Sequence, residues 1–286
     1  MYYSLVLISV VIFGINFALN DIYRKLRSSS IASSMESSFM GSIAGLAVLL
    51  TVSGFDFQAT PFTLLIALIY AVTGIGFTFC SFKALESVNL SIYSLFSMLG
   101  GMLLPFFQGI IFYGEKITVA KIICVIFICI ALCLTVSWDQ NKKSSGFYIG
   151  VFILTGLVGV LSKIFTEAPF KKTNAEWFSI WIAIFTTAIS GLLWLFVFRK
   201  KSMPGYTLRA LGVSVVNGAA NRIANFLLLM ALMHLDASVQ SPMVTGGVII
   251  VSTLFCCFSK NKPTKKEIAS VIFAFIAMLA LFLIKT

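Results

Sequence analysis

The chain has 286 residues, of which 59% are hydrophobic and only 11% charged, and its mean hydropathy is +1.01. Water-soluble domains of this length do not have such a composition, so the sequence predicts a polytopic helical membrane protein. The net charge of +11 would suit nucleic acid. However, the Lys and Arg residues lie in short loops rather than in one patch interleaved with aromatic residues, so no nucleic-acid partner is predicted.

Ten membrane spans are predicted in chain order, each close to the roughly 20 residues that a helix needs to cross a bilayer. They are Tyr2–Leu19, Ile31–Ser53, Pro61–Phe82, Leu90–Tyr113, Val119–Ser137, Phe147–Phe165, Trp177–Phe198, Thr207–Leu232, Ala237–Phe258 and Ile268–Ile284. The first is a span rather than a cleaved signal peptide, because its basic residues follow the apolar run. The connections are too short for a soluble catalytic or DNA-binding module.

The two halves of the chain repeat. Val125-Ile126-Phe127 recurs as Val271-Ile272-Phe273, and Gly100-Gly101 recurs as Gly246-Gly247, both 146 positions later. The predicted units are residues 1–140 and 141–286, in one membrane-embedded domain. Each contains five spans, and an odd number requires the second unit to insert upside down. The predicted fold is therefore an all-α membrane protein of ten transmembrane helices in two inverted five-helix repeats, an arrangement typical of transporters.

The distribution of basic residues predicts the orientation. The odd-numbered loops hold fourteen Lys and Arg residues, and the even-numbered loops hold four, or five with Lys163. Because cytoplasmic loops carry the excess of basic residues, both termini are predicted to lie outside. The expected location is the cytoplasmic (plasma) membrane, with several passes.

Three short motifs carry a family resemblance: Phe13-Gly14-Ile15-Asn16-Phe17, Phe82-Lys83-Ala84-Leu85 and Gly114-Glu115-Lys116-Ile117-Thr118. Together with the repeat, they resemble the drug/metabolite transporter superfamily in its ten-span EamA-type branch. The second copy, Ser259–Thr264, departs from the pattern because it has no glutamate. Many relatives are taken to have cytoplasmic termini, opposite to the orientation that the charge count predicts.

The strongest candidate for a substrate contact is Arg222. It lies well inside the eighth span, where an arginine costs at least about 2.5 kcal/mol and cannot lose its proton. Asn217, Asn221 and Asn225 are spaced i, i+4, i+8 and share one face of the same helix. The guanidinium could clamp a carboxylate or phosphate, or it could pair permanently with a buried acid.

Glu36, inside the second span, is the candidate for coupling to a proton, since ionisable residues within membrane spans often serve as proton carriers. The alternatives are a pair with Arg222 or contact with the headgroups. Further candidates for a cavity lining are Asn16, Gln108 and Gln240. The alternative for Gln108 is a helix-helix hydrogen bond, and the alternative for Gln240 is a helix start disrupted by the nearby proline. Tyr70 occupies the position of Asn217 in the first repeat and is also a cavity candidate. No metal site is predicted. The six cysteines fall in apolar runs, where they are expected to pack as small apolar side chains.

The predicted function is secondary-active transport of a small polar metabolite bearing a carboxylate or phosphate, such as an amino acid, by alternating access. Its partners are that substrate, a coupling proton or ion, and the lipid bilayer, with no cofactor. The alternatives are transport of organic cations, held by aromatic side chains and Glu36, and flipping of lipid headgroups. An intramembrane enzyme is not predicted, because the chain has one His and lacks the HExxH and GxSxG patterns.

Overall fold

A computed structural model describes residues 2–27, 31–53, 56–87, 90–135, 147–198, 208–258 and 265–283. Within these ranges the chain forms ten α-helices and no strand. They are α1 (Tyr2–Arg27), α2 (Ile31–Ser53), α3 (Pro61–Ser87), α4 (Leu90–Tyr113), α5 (Val119–Thr135), α6 (Phe147–Glu167), α7 (Ala175–Leu193), α8 (Leu208–Leu232), α9 (Ala237–Phe258) and α10 (Lys265–Leu283). A π-helical turn, Trp194–Phe198, continues α7.

The helices are those of a membrane bundle. Six of them, α2, α3, α4, α6, α7 and α8, contain segments long and apolar enough to span a membrane, and the other four contain shorter apolar segments. The predicted bounds of the second, fourth and ninth spans match α2, α4 and α9. In contrast, α1 continues beyond the predicted Leu19 to Arg27, because hydropathy limits the part in the bilayer and not the helix itself.

Helix contacts close a ring. Around it, α1 contacts α9, α9 contacts α4, α4 contacts α6, α6 contacts α3, α3 contacts α7, α7 contacts α2, α2 contacts α8, and α8 returns to α1. The α5–α10 pair packs outside this ring, against α9. A ring of this kind surrounds an interior into which polar side chains from several helices can point.

Glycine decides how closely α2 and α8 approach. A Cβ placed on Gly218 would lie 2.1 Å from Cα of Gly41, far inside van der Waals contact. Ser37 and Ser214 lie one turn earlier on the same two faces, and the Ser214 hydroxyl donates to the carbonyl of Ser37 at 3.2 Å. Small residues at helical spacing let two membrane helices pack at their backbones, and this contact fixes the position of Arg222 one turn later on α8.

Candidate functional site

The candidate site is built around Arg222, near the middle of α8. Ten residues separate it from Leu232 at the end of the helix, which corresponds to about 15 Å at the α-helical rise. That is half the thickness of a bilayer's hydrocarbon core of about 30 Å. The Arg222 side chain passes over Gly45 of α2, and its Nη2 donates to the Ser42 hydroxyl at 3.2 Å.

Arg222 opens onto a small cavity between α3, α6, α7 and α8. The volume is about 20 Å³, which is room for about one water molecule. The wall combines three apolar side chains with hydroxyl, phenol and amide groups, and Arg222 provides its one formal charge. The lining residues are Tyr70, Ser162, Phe178, Ser179, Ile182, Arg222, Asn225 and Leu229.

An aromatic stack holds the apolar side of the cavity in place. Phe178 stacks face to face on Phe165 with ring centroids 3.8 Å apart, and Tyr70 meets Phe178 edge-on at 6.1 Å. Phe165 and Phe178 are fully buried. Such pairs fix ring orientation beyond what area burial alone provides, so the Tyr70 hydroxyl is presented to the cavity by a rigid wall.

No carboxylate pairs with Arg222 among the residues that the structure describes. Glu36, which the sequence offered as a partner, is instead bound by Arg27 at the end of α1. Both side chains of that pair are buried, and the phenol of Tyr23 donates to the nearby carbonyl of Ser33. The Arg27–Glu36 pair joins the start of α2 to the end of α1 and is separate from the cavity lining.

The structure brings some of the sequence-predicted residues together and separates others. Tyr70, Arg222 and Asn225 line one cavity. The Asn225 amide donates to the Asn221 side chain at 3.0 Å, so Asn221 supports the lining from the next turn. Asn217 lies a further turn away on the same helix. The remaining candidates belong to other helices.

Those outlying candidates are Asn16, Gln108 and Gln240. Gln108 of α4 donates to the Val160 carbonyl of α6 at 3.3 Å, the helix-helix hydrogen bond that was its alternative role. Gln240 donates to the Leu228 carbonyl at 2.9 Å, and α9 is continuous through Pro242. Asn16 is 3% exposed, and within the described part of the chain its amide makes no hydrogen bond.

Sequence reasoning missed a charged cluster at the face formed by the even-numbered loops. We define the Glu115 cluster as Glu115, Lys163, Glu167 and Ser238. The Lys163 amine lies 3.0 Å from carboxylate oxygens of both Glu115 and Glu167, and its side chain is 4% exposed. Its amine also lies 5.5 Å from the centre of the Tyr113 ring. Lys163 is therefore a buried partner and not a loop charge.

Glu115 also caps α9. Its carboxylate accepts from the backbone amides of Ala237 and Ser238, both at 3.0 Å, and from the Ser238 hydroxyl. A carboxylate at a helix N-terminus satisfies unpaired amides and meets the positive end of the helix dipole. Gly114, with φ of +64°, makes the turn that directs Glu115 inward. The sequence signal for Glu115 is the Gly-Glu-x-x-Thr motif, but the motif does not indicate which residues the carboxylate contacts.

A larger polar basin of about 580 Å³ adjoins this cluster. Its wall includes Tyr3 of α1, Lys121 of α5 and Asp236 of the α8–α9 turn. The Lys121 amine contacts the Asp236 carboxylate at 2.9 Å and the Lys116 carbonyl at 3.0 Å. Positive and negative side chains are balanced around the basin, so it lacks the single uncompensated charge that marks the Arg222 cavity.

These features define a multi-pass helical membrane protein with a polar cavity at mid-membrane depth. Residues 1–137 match the model of the EamA-like transporter family, which confirms the resemblance suggested by the three motifs. Residues 1–137 are thus similar to an EamA-like transporter domain.

Comparison with solved structures supports the fold. One of them, described only as a crystal structure of a protein, superposes with a TM-score of 0.71 and covers 99% of this chain and 99% of its own. Sequence identity is 15%, so this likeness concerns the fold alone. No curated protein matches the chain.

Proposed function

We propose that the protein is a secondary transporter that moves a small metabolite bearing a carboxylate or phosphate across the cytoplasmic membrane. The observation that carries this proposal is Arg222, a guanidinium in a mid-membrane cavity where no described carboxylate compensates its charge. A desolvated cation of this kind is strongly destabilising without a partner. Carboxylates and phosphates are the partners that guanidinium binds through two parallel hydrogen bonds.

Neighbouring groups support recognition of the remainder of such a ligand. Asn225, Ser162 and Ser179 supply hydrogen-bonding groups, and Phe178, Ile182 and Leu229 form an apolar wall. The free volume of about 20 Å³ is far smaller than a pocket that holds a metabolite. The helices around the cavity must therefore separate for a ligand to enter, as alternating access requires.

We further propose that the two halves, residues 1–140 and 141–286, are inverted repeats. The helix contacts support this. If each helix of α1–α5 is exchanged with its counterpart in α6–α10, every contact between the halves should map onto another contact. The α4–α6, α3–α6 and α3–α7 contacts map onto α9–α1, α8–α1 and α8–α2, and all six are present. The close approaches also correspond: Gly101 of α4 packs on Thr155 of α6, and its counterpart Gly247 of α9 packs on Val10 of α1. The excess of Lys and Arg in the odd-numbered loops supports an orientation with both termini outside.

The alternative functions have less support. Transport of an organic cation relied on Glu36, whose carboxylate is bound by Arg27 and is not part of the cavity lining. A lipid flippase would share the architecture, but no feature of the lining favours a headgroup over a free anion. The family match supports transport rather than catalysis.

The direct test is ligand-dependent stability of the purified protein. A ligand that binds the folded state raises its stability according to the ratio of concentration to dissociation constant. We expect lactate, glutamate or glycerol 3-phosphate to raise the unfolding temperature of the native protein, and choline to have no effect. Arg222→Gln should lose the response, whereas Arg209→Gln, an exposed arginine on the same helix, should keep it. Stabilisation by choline alone, with Arg222→Gln still responding, would overturn the proposal.

Gly45→Ala is expected to weaken anion binding about tenfold, or about 1.4 kcal/mol. A Cβ on Gly45 would lie 2.4 Å from Cγ and 2.9 Å from Cβ of Arg222. The guanidinium would then be displaced from Ser42 and from the cavity. Titration calorimetry with the anion that stabilises best measures the change. Gly212→Ala on α8 is the matched control, because nothing lies within 4 Å of its new Cβ. Equal affinities in the two variants would show that Gly45 does not position Arg222.

A further inference from the structure

We propose that the protein works as an anion exchanger, in which a bound anion is needed for the site to pass from one side of the membrane to the other. This inference rests on the proposed function, since it concerns the same Arg222 site. It adds the mode of transport: movement of one anion in one direction is tied to movement of another in the opposite direction, and net movement of a single anion is slow.

The Arg222 cavity carries an uncompensated positive charge. Arg222 is the one formally charged residue in the lining, and its described hydrogen bond goes to a neutral hydroxyl, that of Ser42. A guanidinium carries five donors. With about 20 Å³ of free volume, the cavity holds about one water molecule in place of a hydration shell.

The described part of the protein offers no internal replacement for the anion. Glu36 is held by Arg27 outside the cavity lining, and both side chains are buried. Glu115 is held by Lys163 and by the first turn of α9. Each of these carboxylates would leave another buried cation behind if it moved to Arg222. Net transport of a single anion would need an internal carboxylate that alternates between Arg222 and a second partner. The described residues do not provide one.

The loaded and empty carriers differ in the net charge of the occluded site. With a monoanion bound, the occluded site is neutral and the guanidinium donors are satisfied. Without it, the same closure places an uncompensated cation at mid-membrane depth. The free energy measured for inserting an arginine at that depth corresponds to about a 100-fold change in the equilibrium constant of insertion. We expect the empty carrier to close, and so to return, about 10- to 100-fold more slowly than the loaded one.

The same charge balance selects the ligand class. A net monoanion neutralises Arg222, whereas a zwitterion brings a second positive charge into a lining that contains no described carboxylate. Monocarboxylates, and phosphate monoesters in their singly ionised form, are therefore favoured over zwitterionic amino acids. A proton could not perform the coupling in place of the counter-anion, because no described acid lies in the lining to carry it.

Proteoliposomes test the proposal. Uptake of radiolabelled lactate and, separately, glycerol 3-phosphate is measured into vesicles loaded with the same unlabelled anion or with sucrose, while potassium and valinomycin fix the membrane potential. Exchange predicts initial uptake at least about tenfold faster into the anion-loaded vesicles. Equal rates in the two sets, both abolished by Arg222→Gln, would overturn the exchange mode and leave the proposed function intact. Uptake that is unaffected by Arg222→Gln would overturn both.

A second variant tests the charge argument itself. Ser42→Asp places a carboxylate beside the Arg222 guanidinium, where it supplies the missing internal partner. We expect weaker anion binding and a ratio of exchange to net uptake close to one. Ser42→Asn has nearly the same size without the charge and should retain the high ratio. If Ser42→Asp kept the native ratio while its anion affinity fell, the charge of the empty carrier would not control its return.

Discussion

Glu115→Gln is expected to destabilise the protein by about 3 kcal/mol, the lower end of the range for breaking one side of a buried ion pair. The Lys163 side chain is 4% exposed and the Glu115 side chain 5%, so loss of the carboxylate leaves a cation with little contact to water. Glu167 remains beside Lys163, but its side chain is 41% exposed and compensates less. The free energy of unfolding in mixed detergent micelles is the measurement.

Asp236→Asn is the matched control for this prediction. It removes the carboxylate from Lys121, whose side chain is 6% exposed, at a similar distance of 2.9 Å, but the Asp236 side chain is 52% exposed and the Lys121 amine keeps the Lys116 carbonyl as a second acceptor. Pairs that reach solvent contribute up to about 1 kcal/mol. The double variant Glu115→Gln/Lys163→Met should recover much of the loss, because both buried charges are removed. Equal losses for Glu115→Gln and Asp236→Asn would contradict the role assigned to burial.

The effect of Glu115 should also depend on pH. Burial alone would raise the pKa of this carboxyl, but hydrogen bonds from Ser238 and Lys163 hold the pKa below its usual value. Because the folded pKa is depressed, the stabilisation is complete above the unfolded pKa and is lost as the pH falls through the folded one. The difference between native protein and Glu115→Gln should therefore shrink on strong acidification. A constant difference through that range would show that the carboxylate charge is not its source.

The second large effect is expected for Gly218→Ala, with a loss of about 3 kcal/mol, the upper end of the usual range for overpacking. The new Cβ would lie 2.1 Å from Cα and 2.4 Å from the carbonyl carbon of Gly41. These are backbone atoms, so no side chain can rotate away and α2 must separate from α8. Anion binding should fall as well, because Arg222 would move away from Ser42.

Gly212→Ala on the same helix separates this contact from the general effect of removing a glycine. Its Cβ meets nothing within 4 Å, and alanine favours a helix interior over glycine by about 1 kcal/mol. Stability should stay level or rise, measured by the same unfolding titration. If Gly218→Ala were as stable as Gly212→Ala, the close approach of α2 and α8 would not constrain the fold.

The sequence alone determined the class of protein and most of its helices. Apolar runs identify spans because burial in lipid acts on each segment separately, and α2, α4 and α9 begin and end at their predicted residues. The sequence also singled out Arg222, since an arginine inside an apolar run is costly wherever the helix packs. The motif around Glu115 indicated the family, which residues 1–137 match.

Only the tertiary structure decided the partners. Glu36 pairs with Arg27 and not with Arg222. Lys163 is a buried partner of Glu115. Tyr70 of α3 and Arg222 of α8 line the same cavity, although their helices are distant in sequence. Hydropathy and helical periodicity state which face of a helix is polar, but not which helix that face meets. That choice depends on where backbones approach, as at Gly41 and Gly218, and such contacts become visible only when all the helices are packed together.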